Sequence, residues 1–594
     1  MFGHTIVRSV CTRTGRKRLM FPGAPSSSAH PQGGPALRRL IRGEVVLLVA
    51  ITLALGAPGG APWYHPDSII VRAMHVLAHG GDPNFYHYPG FVIYADALLY
   101  GVVYAGLAAS HSVAGMAAFQ QCFAAGVFPN GMPFHVPALI LTYAFSAAGI
   151  VLTNRLAWEL SGDRALAFIA ALIPATSLLW GVETHFTTVD LPMTTLVLAT
   201  LLATVRATSA GAPMSRRQLA MVGLLLGLSV SAKYTAVLVA IPVLAAVSAC
   251  DGAGARRRSD LGFLSGVAGL AFLATNPFAF VKPVLFLHDS FDEVSHGMRG
   301  HFGWQHDQGY LYHLQVSLLD GIGVPFLLLA AIGAFAFASS TLVPRPAKRA
   351  ILLFPLVYYG IVGGSKLSFQ RYMLPMLPFV GLFAAWGLHA LASRVAHHVP
   401  RPRLLLATMF ALTLGLAFPN VMNVVAHDRL LMRPDTRAGL RALFASAPEL
   451  AHRSVFGGSY VQTAVATPVS LSWDSLGTKL PDVLVLDSFS HDRYLYDPRR
   501  SQRFGVHRSD FATAHVLTLT PFRLVKGAVP FSAQSVYSPY LPDLRYREAA
   551  GPYIELYVRE DSLAVHLRAR ALAAGVACTF SEAARGYYFQ NFEE

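Results

Sequence analysis

Apolar residues along this chain gather into runs, separated by short polar stretches in which arginine recurs. A run of about 20 such residues is what an α-helix needs to cross the hydrocarbon core of a bilayer, where every backbone N–H and C=O must be satisfied within the segment. The pattern predicts spans at about 41–60, 136–154, 165–182, 190–205, 218–232, 235–250, 261–280, 321–340, 350–364, 372–391 and 404–424. Beyond Asn423 the pattern changes. Short β-like runs such as Val483-Leu-Val-Leu-Asp487 and Tyr553-Ile-Glu-Leu-Tyr-Val558 alternate with turn formers, Pro481, Asp497-Pro498 and Gly551-Pro552. The expected architecture is an all-α polytopic membrane protein of about 11–13 transmembrane helices with a C-terminal extracytoplasmic α/β domain.

Composition agrees with this and excludes an ordinary soluble enzyme. Of 594 residues, 54% are hydrophobic and only 13% charged, about half the ~25% charged content of soluble domains. The net charge of +15 is a matter of position rather than a nucleic-acid footprint. Basic residues fill alternate loops: Arg155 and Arg164; Arg206, Arg216 and Arg217; Arg256, Arg257 and Arg258; Arg345, Lys348 and Arg349; Arg394, Arg401 and Arg403. The intervening segments hold only Arg72, Lys233, Lys282, Arg299, Lys366 and Arg371. The positive-inside rule then places the basic, Pro/Ser/Gly-rich N-terminal tail (1–40) in the cytoplasm of a cell whose plasma (inner) membrane the chain spans. Residues 41–424 form the membrane domain, with a first outer loop at 61–135, and 425–594 lie outside. One apolar segment, Gly90 to Ala109, breaks the parity if it crosses alone. It is read as a juxtamembrane or re-entrant helix within the first outer loop, unless a second crossing at about 113–128 accompanies it. The four cysteines, Cys11, Cys122, Cys250 and Cys578, have neither disulfide-framework nor metal-ligand spacing.

Charged side chains close to a bilayer are costly and mark sites, so the outer helix ends carry the candidate chemistry. Asp67 follows the first span in Trp63-Tyr-His-Pro-Asp67. It is placed to act as a general base or a metal ligand at the interface, or to cap the run that starts at Ser68. Asp190 lies on the same side, in Glu183-Thr-His-Phe-Thr-Thr-Val-Asp190-Leu-Pro192, where capping of the following helix and function are compatible. Three cations face these acids: Lys233, Lys366 and Arg371. They suit an anionic headgroup, with snorkelling to lipid phosphate as the bland alternative, which is weakest for Lys233 in its short turn. The histidines of the outer loops, including His75 and His79 at helical spacing, read as interfacial polar side chains in the absence of a paired carboxylate. Gly223-x-x-x-Gly227 is close-packing chemistry for a helix pair.

These segments, taken in order, resemble a known family. Tyr64-His-Pro-Asp67, the Gly-Asp-Pro-Asn…Tyr-Pro stretch from Gly81 to Pro89, Thr188-Val-Asp-Leu-Pro192, Gly227-Leu-Ser-Val-Ser-Ala-Lys-Tyr234, Thr275-Asn-Pro-Phe278 and Arg371-Tyr-Met-Leu-Pro-Met-Leu-Pro378 follow the sequence seen in membrane glycosyltransferases of the C-type fold. The chain is similar to the dolichyl-phosphate-mannose protein mannosyltransferase and aminoarabinose transferase superfamily, in its bacterial branch. The resemblance implies transfer of a sugar from a polyprenyl-phosphate donor to a glycan, lipid or protein acceptor on the outer face, usually with inversion. It implies Asp67 and Asp190 as the catalytic acids. Lys233 and Arg371 would bind the donor phosphate, with Tyr234 and Tyr372 as neighbours and Lys366 nearby. The acidic residue usual after the first-loop Asp is Ser68 here. No tight Asp-x-Asp assigns metal ligands, so a divalent cation is left open and no cofactor is assigned. The alternatives are a multi-span transporter, whose site belongs at the midplane of internal repeats that this chain lacks, and a non-catalytic cell-envelope assembly protein.

Sidedness is directly testable. In a background free of native cysteines, single cysteines at Ser215 and Ser259 are expected to be labelled from the cytoplasm, and those at Ser295, Ser459 and Ser532 from outside. A cytoplasmic label at Ser459 would overturn the odd number of crossings.

Overall fold

The computed structural model describes residues 35–57, 69–127, 132–209, 212–250, 254–300, 308–395, 402–450, 452–457, 461, 481–488, 513–519, 544, 547–559 and 561–576. Helices account for nearly all of it up to residue 446. In chain order they are α1 (Pro35–Gly56), α2 (Ile70–Ala78), α3 (Gly90–Ala109), α4 (Met116–Val127), α5 (Met132–Ser161), α6 (Arg164–Ala175), α7 (Leu178–Thr184) and α8 (Asp190–Thr208). Next come α9 (Arg216–Ala232), α10 (Ala240–Ser248), α11 (Gly254–Ala274), α12 (Phe278–Val281), α13 (Pro283–Arg299), α14 (Gly309–Tyr312) and α15 (Asp320–Ile322). The membrane part ends with α16 (Val324–Ser339), α17 (Arg345–Val362), α18 (Leu377–Val395) and α19 (Pro402–Leu431).

Each of the eleven apolar segments expected from the sequence falls on a helix or helix pair, yet they are far from uniform. Five helices are long and apolar enough to cross a membrane by themselves, or up to seven if two bent pairs each count as one span. Gly90–Ala109, expected to lie along the membrane or re-enter it, is one of the five by length and composition. The bent pairs are α6 with α7, turned by 64° at Thr176-Ser177, and the α14–α15 segment with α16, turned by 105° at Gly323. Gly323 has φ of 94°, a conformation that favours glycine. Two segments begin with 3₁₀ turns, Tyr234–Val239 in the shorter apolar stretch before α10 and Gln370–Met376 at the start of the span that continues as α18. Irregular backbone at membrane depth is tolerated where protein surrounds it, and α8 and α18, against which these turns pack, are each 83% buried across their apolar windows.

Local chemistry sets the helix starts and their spacing. Asp163 caps α6 by accepting from the amides of Ala165 and Leu166 at 2.8 and 3.2 Å, and Ser215 and Gln218 form a capping box on α9. Glycines let backbones meet. A Cβ on Gly223 would lie 2.7 Å from the Leu264 carbonyl oxygen, and one on Gly227 would strike that of Ala268, so the Gly-x-x-x-Gly motif does join α9 to α11. Gly333 and Gly387 press α16 onto α18 in the same way, and Gly381 presses α18 onto α6.

These contacts also fix relative sidedness. Arg216, at the start of α9, donates to Ser259 Oγ at 2.8 Å and lies 3.6 Å from Asp260, so the basic ends of α9 and α11 are together. Lys233 is at the opposite end of α9.

After α19, α20 (Thr436–Ser446) leads into a four-stranded sheet of β1 (Val455–Gly457), β2 (Val483–Asp487), β3 (Thr513–Leu519) and β4 (Ile554–Val558), in the order β1-β2-β4-β3. β1 is parallel to β2, and β4 lies antiparallel between β2 and β3. α20 and α21 (Asp561–Ala573) cover the sheet with a core of Leu440, Leu443, Val483, Leu556 and Leu567. The expected α/β character at the C-terminus therefore holds. We propose that 1–40, 41–424 and 425–594 are the functional divisions of the chain.

The glycine contacts yield a stability prediction. Gly387→Val places a branched side chain against the Leu329 carbonyl, where backbone rather than a flexible side chain must move. Thermal unfolding in detergent is expected to show a loss of about 1–3 kcal/mol or more, whereas Gly415→Val, with open space around its Cβ, is expected to be nearly silent.

Candidate active site at three helix ends

Three helix breaks converge on one carboxylate. Asp190 is the first residue of α8, but it does not cap it: the N-cap position is Val189, and no side chain accepts from the first amides. The expectation that Asp190 caps this helix is corrected here. Its carboxylate is instead committed to two cations. Lys233 donates from Nζ to Oδ1 at 2.7 Å, and Arg371 Nε stands 3.6 Å from Oδ2. All three side chains are buried, at 2%, 9% and 4% exposure for Asp190, Lys233 and Arg371. Lys233 closes α9 with extended backbone before the 3₁₀ turn, and Arg371 sits in the second 3₁₀ turn, so the broken segments carry the charges to Asp190.

Aromatic rings surround the cations. The Lys233 ammonium lies 4.4 Å from the centroid of Tyr372, and the Arg371 guanidinium lies 4.3 Å from Phe369 and 5.5 Å from Tyr372, each a cation–π contact strengthened by the dry surroundings. Tyr234, next to Lys233, turns the other way. Its hydroxyl donates to the Tyr86 carbonyl at 2.8 Å and accepts from Ser290 Oγ at 2.8 Å. Thus Lys233, Arg371, Tyr372 and Asp190 come together, and Tyr234 ties them to the loop between α2 and α3.

Of the other expected residues, Asp67 lies outside the described residues. Lys366 is exposed and its backbone amide donates to Gly297 O at 3.1 Å. Among the described residues its ammonium enters none of the ion pairs of Asp190. The reason is local: Ser365 and the Lys366 and Leu367 amides all bind the Gly297 carbonyl at the end of α13, which holds this turn out at the surface.

Sequence reasoning passed over Glu183. It is buried at 1% exposure, accepts from Thr188 Oγ1 at 3.3 Å and is within electrostatic reach of Asp190, Arg371 and Lys233. The cluster therefore holds two acids and two cations. Glu183 lies seven residues before Asp190, at the end of α7, and the short connection to α8 sets the two acids in one cluster. His185, His427 and Asp428 form a second group, with potential ligand atoms within 4.8 Å of one another; none was singled out from the sequence. His75 and His79 instead stack on each other, 3.9 Å between centroids.

The loop between α2 and α3 is fastened beside the cluster by its own motif. Asp82 Oδ1 accepts from the Asn84 amide at 2.9 Å and from Tyr86 Oη at 2.7 Å, and its Oδ2 pairs with Lys282. Partial desolvation pushes the Asp82 carboxyl up, but the hydrogen bonds from Lys282, Tyr86 and Asn84 outweigh it and hold the group below its ordinary value. Asn276 accepts from the Gly90 amide at 2.7 Å and donates to Ser231 Oγ at 2.8 Å, two residues before Lys233. The Thr275-Asn-Pro-Phe278 motif is thus a brace between the outer loop and the Lys233 turn.

Comparison with known proteins bears on the fold. A family model described as dolichyl-phosphate-mannose-protein mannosyltransferase matches residues 116–279, the segment that holds Glu183, Asp190 and Lys233. The oligosaccharyltransferase of Archaeoglobus fulgidus, solved tethered to an acceptor peptide containing an NVT sequon, superposes with a TM-score of 0.52 at 11% identity, over 84% of this chain and 75% of that one. The fold is that of the C-type membrane glycosyltransferases. ArnT from Cupriavidus metallidurans bound to undecaprenyl phosphate aligns over 89% of this chain and 99% of its own, with 12% identity and a TM-score of 0.49. No curated protein matches the sequence. The resemblance read from the ordered motifs therefore holds: the chain is a multi-pass membrane protein similar to glycosyltransferases that use lipid-linked donors.

The buried charge cluster makes its own prediction. Lys233→Met removes the closest partner of Asp190 in a dry site and leaves only the longer pairing with Arg371 at 3.6 Å, so unfolding measurements in detergent are expected to show a loss of about 3 kcal/mol. Adding Asp190→Asn to that variant is expected to restore a large part of it. Equal destabilisation in the single and double variants would refute the pairing.

Proposed function

We propose that the protein transfers a sugar from a polyprenyl-phosphate donor to an acceptor on the outer face of the plasma (inner) membrane, with the N-terminus cytoplasmic and the C-terminal domain outside. The observation that carries this reading is the pair of buried cations on one carboxylate at the helix ends opposite the arginine-rich ones. A transporter site is expected near the midplane, and this cluster is built at the α7–α8 turn, the end of α9 and the entry to α18.

The chemistry follows from charge. As the glycosidic C–O bond breaks, negative charge grows on the departing phosphate oxygen, so a fixed cation there stabilises the transition state more than the ground state. Lys233 and Arg371 supply that charge. Asp190 keeps the two cations neutralised and in place, and the incoming donor phosphate competes with it for their N–H donors. Tyr372 holds the Lys233 ammonium from the opposite side. Asp67 is assigned as the base that takes the proton of the acceptor hydroxyl, on the face away from the leaving phosphate. A single displacement of this kind inverts the anomeric centre. The acceptor class, glycan, lipid or protein, and the identity of the sugar are set by surfaces beyond this cluster.

Two measurements on purified protein test the assignment. Lys233→Ala and Arg371→Ala are expected to weaken binding of a polyprenyl-phosphate sugar roughly tenfold or more, since each removes a charge-assisted contact worth about 1.5–3 kcal/mol. Asp67→Asn is expected to lower transfer by about 10² or more with donor binding intact. Wild-type turnover in Asp67→Asn would remove that residue from the mechanism. Lipid-linked sugars that do not accumulate, with unchanged envelope glycans, in cells lacking the protein would refute the function itself.

A further inference from the structure

A second cluster of polar side chains is buried beside the end of α7, and the sugar-transfer chemistry above does not use it. His185 follows α7, while His427 and Asp428 are adjacent on α19, near its C-terminal end. The histidines are 2% and 0% exposed, and the Asp428 side chain is 17% exposed. His185 Nε2 lies 3.0 Å from Asp428 Oδ1, and the two imidazole rings are 5.3 Å apart in an edge arrangement. Leu178, Val182, Phe186, Val424, Leu430 and Leu431 pack in the same region as an apolar shell.

The hydrogen-bond chemistry of His185 decides what belongs there. Its Nδ1 is 2.8 Å from the carbonyl oxygen of Gly181. A carbonyl only accepts, so Nδ1 carries the proton and, in a neutral ring, Nε2 presents a lone pair. That lone pair faces a carboxylate oxygen. Two acceptors at 3.0 Å in a dry site need a positive charge between or beside them. An N–H donated to a backbone carbonyl is also the arrangement that orients a metal-bound imidazole. We propose that His185, His427 and Asp428 form a binding site for a divalent transition-metal ion of the zinc type.

The geometry suits such an ion. Zinc takes imidazole nitrogen at about 2.0–2.1 Å and carboxylate oxygen at about 2.0–2.2 Å, which sets neighbouring tetrahedral ligands roughly 3.3–3.5 Å apart. The 3.0 Å separation of His185 Nε2 and Asp428 Oδ1 is within a few tenths of that, and every potential ligand atom lies within 4.8 Å of the others. Two imidazoles and one carboxylate favour zinc over magnesium or calcium, which prefer all-oxygen shells. The partly exposed Asp428 side leaves a route for the ion and a position for water. The site clips the turn that carries Glu183 and Asp190 to the last membrane helix. α19 continues into the sheet-bearing region, where Arg433 donates to the Glu548 carbonyl and Thr436 to that of Pro552. A metal here would lock the C-terminal domain to the segment that bears the charge cluster.

The test uses the full-length protein in detergent, stripped with a chelator and dialysed. Zinc chloride alone is added, metal content is measured by mass spectrometry, and thermal unfolding is followed with and without the metal. Stoichiometric zinc and a rise in unfolding temperature are expected in the wild type. His427→Ala and Asp428→Asn are expected to lose at least tenfold in zinc affinity and most of the temperature rise. Cobalt substitution gives an independent readout: an intense visible band of tetrahedral cobalt in the wild type that is absent from both variants. If the variants misfold, the wild-type titration alone still decides. No retained zinc and no shift in unfolding temperature would overturn the proposal, leaving a protonated His185 paired with Asp428. Retention of zinc by well-folded His427→Ala and Asp428→Asn would overturn it equally, by placing the metal elsewhere.

Discussion

The carboxylate of Asp190 is the point on which one end of the membrane region is arranged. A buried ion costs several kcal/mol in desolvation and is tolerated only with well-placed partners. Here the partners come from the end of α9 and the turn entering α18. For both to reach one side chain, α9 must end in extended backbone and α18 must be preceded by a 3₁₀ turn. The rings of Tyr372 and Phe369 then take up the faces of the cations that water would otherwise occupy. Irregular helix ends, which would be a liability against lipid, are stabilised because the charges they deliver satisfy one another.

Much of this was legible along the chain, for a physical reason. The apolar period and the one-sided arginines are imposed by the bilayer, whose requirements are the same at every position of a span. Hence all eleven expected segments coincide with helices, and Asp190, Lys233 and Arg371 were identifiable as charges out of place. What the chain order conceals is direction. Asp190 has the position of a helix cap, yet its carboxylate turns away from the backbone toward two cations distant in sequence. Lys366 looks equivalent to Arg371 five residues later, but the Gly297 carbonyl holds its turn at the surface. Glu183, His185 and His427 were missed because nothing local marks them: their partners lie across a helix break or on the last helix.

The first outer loop illustrates how weak motifs become specific. Gly-Asp-Pro-Asn reads as a turn, and Thr-Asn-Pro-Phe reads as a helix stop. Together they form a brace in which Asp82 closes its turn and grips Lys282, while Asn276 spans from Gly90 to Ser231. Neither sequence has meaning for the site without the other.

The glycine seams between α16, α18 and α6 carry a mechanical consequence. Where Gly333, Gly387 and Gly381 let backbones touch directly, no side chains lie between the helices to repack or act as a cushion. α18 is therefore clamped on two faces along the length that leads up to Arg371. The Lys233 side has a seam of its own, Gly223 and Gly227 against α11, and its final turn is tied further by the hydroxyls and amide of Ser231, Thr275 and Asn276. Both cations thus hang from helices whose backbones cannot slide without opening a seam. The spacing of Lys233 and Arg371 across Asp190 is therefore set by glycines far from the charges themselves.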